Sequence, residues 1–175
     1  MDKELFRKTE GKLYRYYKNK NEIYKIENKI RSLENIKRNI EDDIKNANVT
    51  IDYYKNGIGI QERVQISASG YSYAEQELCR AISKLEDEHV KVAKKILKIK
   101  AKIRHIEEFI KYMDDNIGQL TEEDKRFIEL KYGDGKNPIQ ISMILNMAQA
   151  TAYRKREEVV KAVAEYENTF LFKMW

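Results

Sequence analysis

The chain of 175 residues holds one cysteine, one proline, two histidines and seven glycines, and each scarcity removes a class of protein. With Cys79 alone, no disulfide closes within the chain, which suits a reducing cytosol. A structural zinc site needs about four Cys/His ligands at short spacing. Cys79, His89 and His105 do not supply them, so no metal is expected. Cys79 with a distant histidine is formally a nucleophile pair, but nothing beside either residue supports such chemistry; the chain reads as a non-enzyme without a cofactor. Pro138 and the few glycines give too few turn signals for a sandwich, barrel or propeller. No apolar run reaches the roughly eighteen residues that span a bilayer, and Met1-Asp2-Lys3-Glu4 begins no apolar signal region. Membrane spanning and secretion are disfavoured, and a cytoplasmic location is expected.

What is abundant is charge. Charged residues make up 36% of the chain against 42% hydrophobic, the balance of long helices with a narrow apolar stripe. The net charge of +5 is uneven: residues 1–32 carry ten Lys/Arg against five Asp/Glu, while the remainder is balanced. Within that remainder, Lys91 to Arg104 holds seven bases and no acid. Such a run can collect nucleic acid through phosphate contacts, or be a solvated helix face.

From Leu78 to Met113 apolar positions follow one another by four, three, four, three: Leu78, Ile82, Leu85, His89, Val92, Ile96, Ile99, Ile103, Ile106, Ile110 and Met113. Sustained over about five heptads, this spacing is a coiled-coil seam interrupted in character only by His89. An upstream seam runs through Ile23, Ile26, Ile30, Leu33, Ile40, Ile44, Ala47 and Ile51, with Lys37 where an apolar residue is due and Ile36 one place back to cover the gap. Glu27 with Arg31, Glu34 with Arg38, and Glu41 with Lys45 are spaced for support along that helix. Tyr14, Tyr16 and Tyr17 lie on its lead-in, placed to pack or to meet a partner.

Residues 56–72 include Gly57, Gly59 and Gly70 and break the helix, with room for a short extended stretch through Ile58, Ile60, Val64 and Ile66. Two seams of similar length joined by such a loop predict an antiparallel helical hairpin over 1–118. A fold-back near Val64 sets Lys37 close to His89, either as a register-setting pair or as two residues snorkelling to water.

A second module, 119–175, follows. Gly118 is placed to stop the long helix, and Thr121 to cap the next, with Glu122, Glu123 and Asp124 in its first turn. That helix, through Phe127, Ile128, Leu130, Lys131 and Tyr132, stops at Gly133-Asp134-Gly135. Pro138 opens a short helix through Ile139, Ile141, Ile144 and Leu145; Asn146-Met147 turns; a third helix runs from about Ala148 through Val163. Short helix, tight turn and longer helix with bases after its first turn form the helix-turn-helix pattern. Ile141, Ile144, Leu145, Ala152, Val159 and Val163 are its expected core.

Leu120–Val163 resembles the promoter-reading helix-turn-helix of sigma factors, the region-four type, and is most similar to the version in phage late-transcription regulators of the RinA and ArpU group. That resemblance covers about 45 residues and rests on the Thr151-Ala152-Tyr153-Arg154 start of the recognition helix, with Ala148 where serine is usual. It implies a DNA-binding transcriptional regulator, a late-gene activator of a phage or prophage in a bacterial host cell, with RNA polymerase as a further partner. The coiled coil leaves no room for a promoter-melting domain, so the chain is no complete sigma factor.

In such a module the first turns of the recognition helix enter the major groove, which places Gln149, Ala150, Thr151, Tyr153 and Arg154 against base edges of double-stranded DNA. Lys155 and Arg156 are expected to flank the groove and meet phosphates, as is Lys136 in the preceding loop; the competing reading makes Arg154, Lys155 and Arg156 a solvated stretch paired with Glu157 and Glu158. One small helix-turn-helix makes few base contacts, so a homo-oligomer, most simply a dimer, is expected. Its contact is sought first around Tyr14, Tyr16 and Tyr17, then in the apolar tail Tyr166 to Trp175, which otherwise packs back on a thin core. Two other functions fit the same elements: a small-terminase-like DNA-packaging subunit, and a coiled-coil adaptor protein whose helix-turn-helix only packs.

Overall fold

The computed structural model describes residues 2–50 and 73–171, and of the second stretch the side chains of 74–166. The loop 56–72, Ile51 and the tail side chains beyond Tyr166 lie outside the described residues, and with them the extended stretch and the packing expected of Phe170 to Trp175. Every regular element described is a helix, and the chain is all-α. Helix α1 spans Lys3–Lys45 and α2 spans Tyr73–Gly118. A shorter α3, Glu122–Ile128, runs on into a π-helical turn, Glu129–Gly133. Then come α4, Pro138–Ile144, and α5, Gln149–Leu171. No helix among the described residues is long and apolar enough to cross a membrane.

The chain divides into two compact units, residues 27–101 and residues 1–26 with 102–175. The sequence sets its boundary at 118/119 instead. Both long helices belong in part to each unit, because the apolar positions at the start of α1 and the end of α2 enter the same core as α3, α4 and α5.

In the unit 27–101, α1 and α2 pack along the two seams. Ile30, Leu33, Ile40 and Ile96 are buried, and Leu78, Ile82, Leu85, His89, Val92 and Ile99 are each half-buried. The pairing is antiparallel: Glu34 meets Lys100 Nζ at 2.7 Å and Glu41 meets His89 Nε2 at 2.9 Å, so numbers rise on one helix as they fall on the other. Three expectations need correction. Ile36 is 42% exposed and covers no gap, since one residue turns a helix by about 100° and carries Ile36 off the seam. Ala47 lies past the end of α1, exposed and at φ 46°, so the seam ends at Ile44. Glu34 reaches Lys100 of α2, and Glu41 reaches Lys37 and His89, rather than Arg38 and Lys45.

Lys37 and His89 do fall at matching depth, and a third residue joins them. Glu41 Oε1 accepts from Lys37 Nζ at 2.6 Å and lies 2.9 Å from His89 Nε2. An ionised carboxylate only accepts, so Nε2 carries the proton. The two hydrogen bonds, Lys37 first, hold the Glu41 carboxyl down at about 2.

The other unit has one core. Leu13 and Tyr16 of α1, Met113 and Ile117 of α2, Leu120 of the link that follows, Phe127 and Ile128 of α3, Leu130 and Tyr132 of the π-turn, Ile141 of α4, and Ala152, Val159, Val160 and Val163 of α5 form a single buried cluster. Tyr16 is therefore unavailable as a subunit contact: it is 3% exposed, and its hydroxyl donates to Asp114 Oδ1 while accepting from Lys20 Nζ at 2.5 Å. Burial, then the Asp114 bond, pushes the Tyr16 phenol above its ordinary range. Tyr17 is half-buried, its phenol pushed by burial to about 12, and its ring lies 3.0 Å from where a Cβ on Gly133 would stand. Tyr14 is more open but stacks edge-on against Tyr132, with centroids 4.9 Å apart. The expected core holds except at Ile144, which is 47% exposed; Ser142 takes the inward position on α4, its hydroxyl donating to the Ile139 carbonyl at 2.7 Å.

Candidate nucleic-acid interface

Local chemistry fixes each helix of the module. Thr121 Oγ1 accepts from the Asp124 amide at 3.2 Å and so caps α3, with acids in the first turn where the helix dipole favours them. The Asp134 amide donates to the Glu129 carbonyl at 2.9 Å, closing the π-turn, and Gly135 at φ +70° redirects the chain. Asn137 caps α4 in a reciprocal box, accepting from the Gln140 amide at 2.8 Å while Gln140 Oε1 accepts from the Asn137 amide at 3.0 Å. Pro138 fills the first helical position as expected. After Leu145 the chain turns at Asn146, φ 51°, a left-handed value that asparagine tolerates.

Along α5, Ala152, Val159, Val160 and Val163 face the core, and Gln149, Ala150, Thr151, Tyr153 and Arg154 are exposed. These five, expected from sequence to face bases, are thus all open in the first turns of α5. Tyr153 is 48% exposed, and Arg154 makes a long contact, Nε to the Ala150 carbonyl at 3.5 Å. Lys136 is half-buried in the link before α4, where its amide donates to the Leu130 carbonyl at 2.9 Å.

Lys155 and Arg156, expected from sequence to meet phosphates, each pair with an acid of the chain. Lys155 Nζ lies 2.8 Å from Asp124 Oδ1 and 3.6 Å from Glu123 Oε1, joining α5 to the start of α3, and the Asp124 bond raises its pKa. Arg156 forms a two-pronged pair with Glu10 of α1, Nε to Oε1 and Nη2 to Oε2, both at 2.7 Å. Its guanidinium sits over the Phe6 ring, 5.2 Å from the centroid. The same Glu10 Oε1 accepts from the Tyr132 hydroxyl at 3.1 Å; burial, then the Glu10 charge, pushes that phenol well above its usual range. These bases pair with Glu10, Asp124 and Glu123, not with Glu157 and Glu158.

The signal for this was present in the spacing. Lys155 and Arg156 precede Val159 and Val160 by four residues and follow Ala152 by three and four, so they lie on the core side of α5. Arg154 falls between those positions and faces out. Glu10, 112 residues upstream of Glu122 and outside the module, carried no local signal of its own.

Among the described residues, no group of three or more His, Cys, Asp or Glu is placed to hold a metal. No family model, curated protein or solved structure matches the chain.

Proposed function

We propose that the chain is a sequence-specific DNA-binding regulator of transcription, reading the major groove with the first turns of α5. The observation that carries this is the division of side chains on α5. Lys155 and Arg156 are held inward by acids of α3 and α1, which fixes the rotation of the helix and leaves Gln149, Thr151, Tyr153 and Arg154 exposed in its first turns. Arginine can bond guanine through two parallel hydrogen bonds, and Gln149 can do the same with adenine. In this reading Lys155 and Arg156 are positioning residues and meet no phosphate. The resemblance to phage late-transcription regulators adds late-gene activation and a contact with RNA polymerase to the proposal. Two copies on two half-sites would supply the base contacts that one small module lacks. Tyr16 is spent in its own core, which leaves Tyr14, 45% exposed, as the open tyrosine of the lead-in for such pairing.

The experiment is selection of bound sequences from random duplex DNA by the purified chain. A single enriched motif a few base pairs long, or two copies at a fixed spacing, is the expected result. Retention of duplex without enrichment of any sequence would contradict base reading, and a ring-shaped assembly in solution would favour the packaging role instead.

A further inference from the structure

Resting on the DNA reading above, we infer that the first two turns of α1 form a second, sequence-independent part of the interface, holding the phosphate backbone beside α5. A groove of about 620 Å³ separates these elements. Lys3, Phe6 and Arg7 line one wall; Arg154, Arg156 and Lys161 line the other. Arg156 forms the closed end of this arrangement, since its charge is spent on Glu10 and its plane lies over Phe6. Lys3, Arg7 and Arg154 are exposed, and none of them pairs with an acid among the described residues. Lys3 and Arg7 stand four residues apart and therefore on one face of α1.

The occupant follows from continuity and charge. Arg154 belongs both to this groove and to the open face of α5, so a duplex lying on that face brings a sugar-phosphate strand to the groove. Lys and Arg on flanking elements commonly fix a duplex in register by such contacts, without carrying sequence information. Glu157 and Glu158 also line the α5 wall and oppose a phosphate, which makes a second prediction available.

The test is a fluorescence-anisotropy titration of the full chain with its selected duplex and with a scrambled duplex, over a series of salt concentrations. The K3A/R7A double variant should lose affinity for both duplexes by the same factor. Its plot of log affinity against log salt should be shallower by about two, one unit per lost phosphate contact. The preference for the selected duplex should stay at the parent's value. Lys8 is exposed on the same turns but does not line the groove, so K8A should keep the parent's slope. The E157Q/E158Q variant should tighten binding to the scrambled duplex. A parent slope in K3A/R7A, with the parent still preferring its selected site, overturns the inference and leaves the DNA reading standing. An equal loss in K8A overturns it as well, because the effect would then belong to net charge. A parent chain that binds no duplex at all overturns both.

Discussion

The two units of this chain are built from the same two long helices and are stabilised differently. Among the described residues of 27–101 the deepest side chains, Ile40 and Ile96, are still 6% exposed, and ion pairs such as Glu34 with Lys100 line the seam. In residues 1–26 with 102–175, Leu13, Phe127, Ile128 and Ile141 have no exposed surface. A two-helix layer covers each seam residue from one side only, whereas several helices surround a residue completely. Apolar burial contributes about 25 cal/mol per Å² removed from water, and partly exposed ion pairs contribute little. Opening free energy should therefore differ between the units: amide exchange in 27–50 and 74–101 should run faster than in the buried turns of α3 and α5.

The sharpest way to break the comparison is to cut one core residue in each unit. Leu13→Ala should cost about 2–5 kcal/mol, measured by urea unfolding, because nothing can collapse into the space it leaves. The loss should appear in the C-terminal helices, more than a hundred residues away in sequence, since Leu13 shares their core. Ile96→Ala should fall at the lower end of the same range, about 2 kcal/mol, because the seam is already partly wet. Equal costs at the two sites would remove the distinction.

Next in size is the Glu10–Arg156 pair. Its side chains are 14% and 31% exposed, between the fully buried case and the surface case. Removing either partner should cost about 1–3 kcal/mol, and a double-mutant cycle should return most of it as coupling. Thr9→Val should act in the opposite direction. The Thr9 hydroxyl is buried without a partner among the described residues, so the isosteric change should stabilise the chain by about 1 kcal/mol in the same unfolding assay.

The smallest effect belongs to the helix pair. Glu41 has its carboxyl depressed to about 2, so its contribution is fully present above about pH 4.5 and is lost as pH falls toward 2. The melting temperature should decline over that window, and Glu41→Gln should flatten the decline. An unchanged profile in the variant would separate Glu41 from the acid response.

What was legible in the sequence follows the same division. The 4-3 spacing identifies both seams, because a heptad repeat depends only on local order, and their similar length across a glycine-bearing loop gives the antiparallel pairing. The cap at Thr121, the opening proline Pro138 and the turn at Asn146 are likewise local signals, and the structure has them where the sequence places them. Long-range partners were not legible. The uninterrupted seam gives no sign that Leu13 and Tyr16 leave the helix pair to complete another core. Nor do three consecutive bases announce that Lys155 and Arg156 will turn to Asp124 and Glu10. The inward placement of Val159 and Val160 implies as much for 155 and 156, yet the run Arg154-Lys155-Arg156 taken as a block conceals it. Arg154 keeps its expected exposure because it alone of the three lies off the core stripe.

The most direct test of the central claim is the affinity of Arg154→Ala and Lys155→Ala for the selected duplex and for a scrambled one, measured side by side. Arg154→Ala should weaken specific binding by about 1–3 kcal/mol and reduce the preference for the selected sequence. Lys155→Ala, once corrected for its folded fraction, should keep that preference and the parent's salt dependence. If Arg154→Ala instead binds the selected duplex as tightly and as selectively as the parent, the open face of α5 does not read DNA.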